Sequence, residues 1–192
     1  MKLKDIKRLP MVRWFDIKQL ASTAVKVIFS TIIGEQTDKR IIQALSSAGK
    51  DIYDYSFHYK ECSGSAEIDL DKPRKEIWLD YISDTGDGWN STYSVAYYAS
   101  NPDLTLKGEV KSFDTKRGDV LVFGGDEVYP TPSKVAYNNR LITPYEAAFG
   151  DDAPAEKPHV FAIPGNHDWY DGLSAFMRVF CSDLDRTFAG WF

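Results

Sequence analysis

Three short apolar runs, each emptying into a loop of glycine with acid or amide, constrain this chain more than any other feature of it. The runs are Glu76–Ser83, Asp119–Gly124 and His159–Ile163. The latter two are almost continuously apolar, as strands covered on both faces are. The loops that follow read Ser83-Asp84-Thr85-Gly86-Asp87-Gly88, Gly124-Gly125-Asp126-Glu127-Val128-Tyr129-Pro130 and Gly165-Asn166-His167-Asp168. Asp84 and Asp126 stand 42 positions apart, and Asp126 and Asn166 stand 40 apart. That leaves room for a βαβ unit, which takes roughly 30 residues or more. Helical spacing fills the gaps at Ser91–Ala99 and Ser133–Leu141, and Gly172–Cys181 follows the last loop. Strands alternating with helices imply an α/β fold with a parallel sheet. Parallel neighbours would deliver all three loops to one carboxyl edge.

The loop chemistry is coherent. Convergent Asp84, Asp126 and Asn166 offer oxygen donors suited to hard or borderline divalent cations. His167 adds a proton donor or ligand, and Asp168 a group able to orient it. Glycines beside Asp84, Asp126 and Asn166 let backbone approach an ion or phosphate closely. One Asp-Gly loop alone is ordinary turn chemistry; three of them, each ending a strand, read as a site.

Upstream, about Pro10 to Gly34 reads as an amphipathic helix, with Trp14, Ile17, Leu20, Ala21, Ala24, Val27 and Ile28 at three- and four-residue steps. A second helix is expected over Asp38–Ser47, and the pair reads as a helical extension packed on the main domain. Tyr53–Tyr59 alternates like a strand and Cys62-Ser63-Gly64-Ser65 like a turn. We expect a helical extension over 1–60 and the main domain over 61–192. A net charge of −5 disfavours a nucleic-acid partner. Cys62 and Cys181 form neither a metal spacing nor a disulfide framework, and no signal peptide or membrane span is apparent, so a cytoplasmic location is expected.

The three loops together resemble the calcineurin-like metallophosphoesterases, whose pattern runs Asp-x-His or Asp-x-Gly, then Gly-Asp, then Gly-Asn-His-Asp/Glu. Asp84-Thr85-Gly86, Gly125-Asp126 and Gly165-Asn166-His167-Asp168 stand at those places. Gly125-Asp126-Glu127-Val128-Tyr129 is also similar to the Gly-Asp-x-x-Tyr loop of purple acid phosphatases. The resemblance covers roughly Ile77 onward. It implies one βαβ half of a four-layer αββα sandwich. It also implies hydrolysis of phosphate esters by two metal ions (Mn, Fe or Zn) roughly 3.5–4 Å apart that activate a bridging hydroxide for in-line attack. On this pattern Asp84 binds the first metal, Asp126 bridges, Asn166 binds the second, and Tyr129 is a first-metal ligand or an aromatic shelf beside Pro130. His167 assists the leaving oxygen, with Asp168 orienting it. Asp87 stands in for the missing first-loop histidine or caps a turn.

The family pattern continues with further histidine motifs that this sequence does not reach. The resemblance therefore implies a partner in the rest of the domain, an apolar sheet face left open, and weak metal binding with little turnover for the chain alone. Three other readings compete. A helical His-Asp hydrolase fails because His167-Asp168 follows a strand and Gly-Asn. A calcium loop at Asp84–Asn90 fails because Gly86 occupies a ligand position and Val95 stands where the closing Glu belongs. A non-catalytic metal- or phosphate-binding or interaction module on the same scaffold is the alternative from a different class.

Overall fold

The computed structural model describes residues 7–34, 53–62, 65–150 and 158–181. In chain order the elements are α1 (Ile17–Gly34), β1 (Phe57–Cys62), β2 (Ser65–Pro73), β3 (Leu79–Ile82), α2 (Trp89–Ser100), β4 (Asp103–Lys107), β5 (Ser112–Lys116), β6 (Val120–Phe123), α3 (Lys134–Tyr137), α4 (Thr143–Phe149), β7 (His159–Ala162) and α5 (Ser174–Phe180). A π-helical turn, Asn138–Ile142, joins α3 to α4, and a 3₁₀ turn, Asp168–Asp171, precedes α5. The helix expected over Asp38–Ser47 and most of the loop Gly150–Pro158 lie outside the described residues.

The three apolar runs form one parallel sheet, ordered β3-β6-β7. Its last rung aligns Ile82 with Phe123 and Phe123 with Ala162. Asp84 follows that rung by two positions, Asp126 by three and Asn166 by four, so the expected convergence at one edge is built into the register.

Strand alternation separates two faces. On one, Leu121, Phe123 and Val160 bury against Ala136, Tyr137, Leu141, Tyr145, Phe149, Phe176 and Val179 of α3, the π turn, α4 and α5. Burying a leucine or phenylalanine of this kind contributes about 1.5–3 kcal/mol. The other face is incompletely covered. Tyr53 meets Phe161 edge-on at 4.9 Å and the Tyr55 hydroxyl lies 2.8 Å from His159 Nδ1, while Leu79 and Tyr81 stay 58% and 61% exposed.

Three expectations need correction. The first helix begins at Ile17, not near Pro10: the Asp16 carboxylate caps it by accepting from the Lys18 and Gln19 amides at 2.9 and 3.2 Å. Trp14 therefore belongs to an irregular arm, not to a helix face. The strand expected from Tyr53 starts at Phe57 and pairs antiparallel with β2. The β4–β5 hairpin was not expected, because Leu106, Val110 and Phe113 all face solvent and no apolar run marks it.

Candidate functional site

The first two loops deliver their acids through unusual backbone. Asp84 and Asp126 have φ of 58° and 56°, the left-handed region that Asp tolerates better than most residues. The loops lock together by main-chain bonds, Asp84 N–H to Gly125 O at 3.1 Å and Tyr129 N–H to Gly86 O at 3.0 Å. At Gly165 a β carbon would sit 2.4 Å from the Asp126 nitrogen. The second and third loops touch only because that position is glycine.

This wiring brings three of the expected residues, Asp84, Asp126 and Tyr129, to one point. The Tyr129 hydroxyl reaches Asp84 Oδ1 at 2.8 Å and Asp126 Oδ2 at 3.1 Å. Tyr129, then Ser83, holds Asp84 below the usual carboxylate range. Burial, then the bond to Asp84, pushes the Tyr129 phenol up, so it keeps its proton between the two carboxylates. Asp126 Oδ1 accepts the His167 amide at 2.8 Å, which ties the third loop to the same carboxylate.

His167 Nδ1 lies 2.8 Å from the Pro130 carbonyl oxygen. A carbonyl only accepts, so Nδ1 carries hydrogen and Nε2 is the nitrogen left for a ligand. The ring packs 4.5 Å from Tyr129 and 4.8 Å from Tyr170. Asn166 is exposed and donates through Nδ2 to the Tyr170 hydroxyl at 3.2 Å, which leaves its carbonyl oxygen as the atom able to meet a cation.

Asp168 departs from the expectation that it orients His167. It is fully buried, and both oxygens are engaged elsewhere. Oδ2 accepts the Gly165 and Asp126 amides, each at 2.9 Å, and Oδ1 accepts the Tyr137 hydroxyl at 2.5 Å. The turn after Gly165 points this side chain inward beneath the loops, so it clamps the second loop to the third. Asp87 accepts the Trp14 indole N–H at 3.0 Å. His58 and His159 lie on strands apart from the loops.

Sequence reading assigned no role to two residues beneath the site. Tyr137 was visible only as a helical position. Glu127 was visible as an acid beside Asp126, yet it is buried; Oε1 accepts the Gly125 amide at 3.1 Å. Burial, then the neighbouring Asp168, raises Glu127 well above the carboxylate range, so it stands neutral.

Among the described residues no group of three or more His, Cys, Asp or Glu gathers around one point. The donors that do gather are two carboxylates and a phenol. Their three oxygens already surround one proton, an arrangement that fits a single hard cation. A second cation would need Asn166 and donors beyond these.

A family model described as calcineurin-like phosphoesterase matches residues 77–192. No curated protein and no solved structure matches the chain.

Proposed function

Because the chain belongs to the calcineurin-like phosphoesterase family, we propose that it hydrolyses phosphate esters at the loop site, with Asp84, Tyr129 and Asp126 holding one metal ion and Asp126 and Asn166 a second. The single observation that carries this reading is the Tyr129 hydroxyl within hydrogen-bond reach of both Asp84 and Asp126. Carboxylates from two strand ends are held at one point at a cost in backbone conformation, and such strain tends to persist at functional sites. Bound there, the cations supply an acidified water and neutralise phosphoryl charge.

The chain's own residues account for the rest. Asp84 is held ionised and Asp126 is pre-positioned beside it, so cation binding requires little rearrangement beyond release of the Tyr129 proton. His167 presents Nε2 to the substrate and, when that nitrogen is protonated, donates to the departing oxygen. Asp168 acts as a positioning residue through the Asp126 amide. The catalytic unit is taken as 61–192, the βαβ half of a four-layer sandwich, with 1–60 as an extension. The exposed Leu79 and Tyr81 support a further layer on that face.

The test is a titration of the whole chain with Mn²⁺, read by the loss of the free-ion electron paramagnetic resonance signal, beside hydrolysis of p-nitrophenyl phosphate. Wild type should bind Mn²⁺ and Asp126→Asn should not. Absence of Mn²⁺ binding at millimolar concentration, or hydrolysis that survives Asp126→Asn, overturns the proposal. Phosphate binding that persists without Mn²⁺ and in Asp126→Asn would favour a binding module on this scaffold.

A further inference from the structure

The N-terminal arm, residues 7–16, plays no part in the chemistry above, yet it is stitched to the site. Leu9 donates to Asn139 Oδ1 at 2.8 Å and its carbonyl accepts the Trp89 amide at 3.1 Å. Val12 is buried and donates to the Asp87 carbonyl at 3.0 Å. Arg140 reaches the Pro10 and Asp87 carbonyls. Gly88 permits this approach, since a β carbon there would lie 2.9 Å from Met11 Cα.

The arm ends by placing Trp14 beside the reacting groups. Its indole N–H is fixed on Asp87. Its ring stands edge-on to Tyr129 at 5.3 Å and to His167 at 6.1 Å. With Tyr129, His167 and Tyr170 it makes a continuous aromatic wall, one member of which touches both Asp84 and Asp126. The ring is 37% exposed and is held in orientation by its own N–H.

We infer that Trp14 is a specificity-determining residue that receives the organic group of the substrate and selects phosphate esters of aromatic alcohols. This rests on the phosphoesterase reading. Aromatic rings favour offset or edge contact with one another, and one such contact in a partly dry site is worth roughly tenfold in affinity.

The experiment measures calorimetric affinities of the whole Mn²⁺-loaded chain for inorganic phosphate, methylphosphonate and phenylphosphonate. Wild type should bind phenylphosphonate about tenfold more tightly than methylphosphonate, on the aromatic-contact scale used above. Trp14→Ala should close that gap while methylphosphonate and Mn²⁺ affinities stay within about twofold, and Trp14→Phe should keep part of it. Trp14→Leu retains apolar bulk in the arm and should also lose the preference, so the readout survives any instability of the alanine variant. No phenyl preference in wild type, or an undiminished one in both Trp14→Ala and Trp14→Leu, overturns the inference while leaving the phosphoesterase reading intact. A Mn²⁺-loaded chain that binds none of the three anions removes that reading, and the inference with it.

Discussion

Two pairs of acids occupy the same loops at different depths, and depth separates what they can do. At the rim, Asp84 and Asp126 meet at the Tyr129 hydroxyl; beneath them, Asp168 meets the Tyr137 hydroxyl with Glu127 beside it. Asp84 is exposed and held ionised, whereas Glu127 is sealed from water and held neutral. Water reaches and stabilises the charge of Asp84, whereas its exclusion below makes Glu127 too costly to ionise. The upper pair is therefore equipped to meet a cation, and the lower pair to hold the upper one in place.

The largest effect should come from removing the lower clamp. Asp168→Ala leaves the Gly165 and Asp126 amides and the Tyr137 hydroxyl without their acceptor. At about 1–3 kcal/mol per buried unpaired group, the loss should reach about 3 kcal/mol or more, read as a lower urea midpoint at unchanged slope. A variant within about 1 kcal/mol of wild type would erase the distinction between the pairs.

Glu127→Gln comes next and acts through pH. In metal-free protein the native chain keeps the Glu127 proton while the unfolded chain loses it above about pH 4.3. The native state then binds more protons, so stability falls as pH rises from there toward the raised native value, by at most about 1.4 kcal/mol per unit. Glutamine should flatten that slope in thermal melts run with a chelator from about pH 4 to 9. An unchanged slope would mean that Glu127 is ionised.

Tyr137→Phe should cost about 1–2 kcal/mol by removing one buried donor to Asp168. The rim counterpart, Tyr129→Phe, should change stability by no more than about 0.5 kcal/mol but weaken Mn²⁺ binding roughly 10- to 100-fold. Equal stability losses for the two tyrosines would break the comparison.

The sheet and the rim were legible in the sequence because both are local patterns. Continuous apolar runs specified β6 and β7, and glycine beside Asp84, Asp126 and Asn166 specified turns. The lower layer was not legible. That Glu127 is neutral, or that Tyr137 reaches Asp168, follows only from packing between segments distant in the chain. Asp168 misled because adjacency to His167 suggested partnership, while the turn after Gly165 sends the two side chains different ways. Trp14 misled similarly: its spacing from Ile17 fitted a helix face, but Asp16 starts the helix after it, and its contacts lie on residues far along the chain. β4 and β5 escaped notice because a solvent-exposed hairpin carries no buried stripe.

The partner of His167 Nδ1 is a main-chain atom, the Pro130 carbonyl. Every amino acid supplies that oxygen, so no replacement at position 130 deletes the contact; only displacement of the loop can. Which ring nitrogen faces outward thus depends on where the loop runs and not on a functional group at position 130. Loss of that assignment would report a shift of the polypeptide path, and ¹⁵N shifts of the imidazole offer a sensor for it.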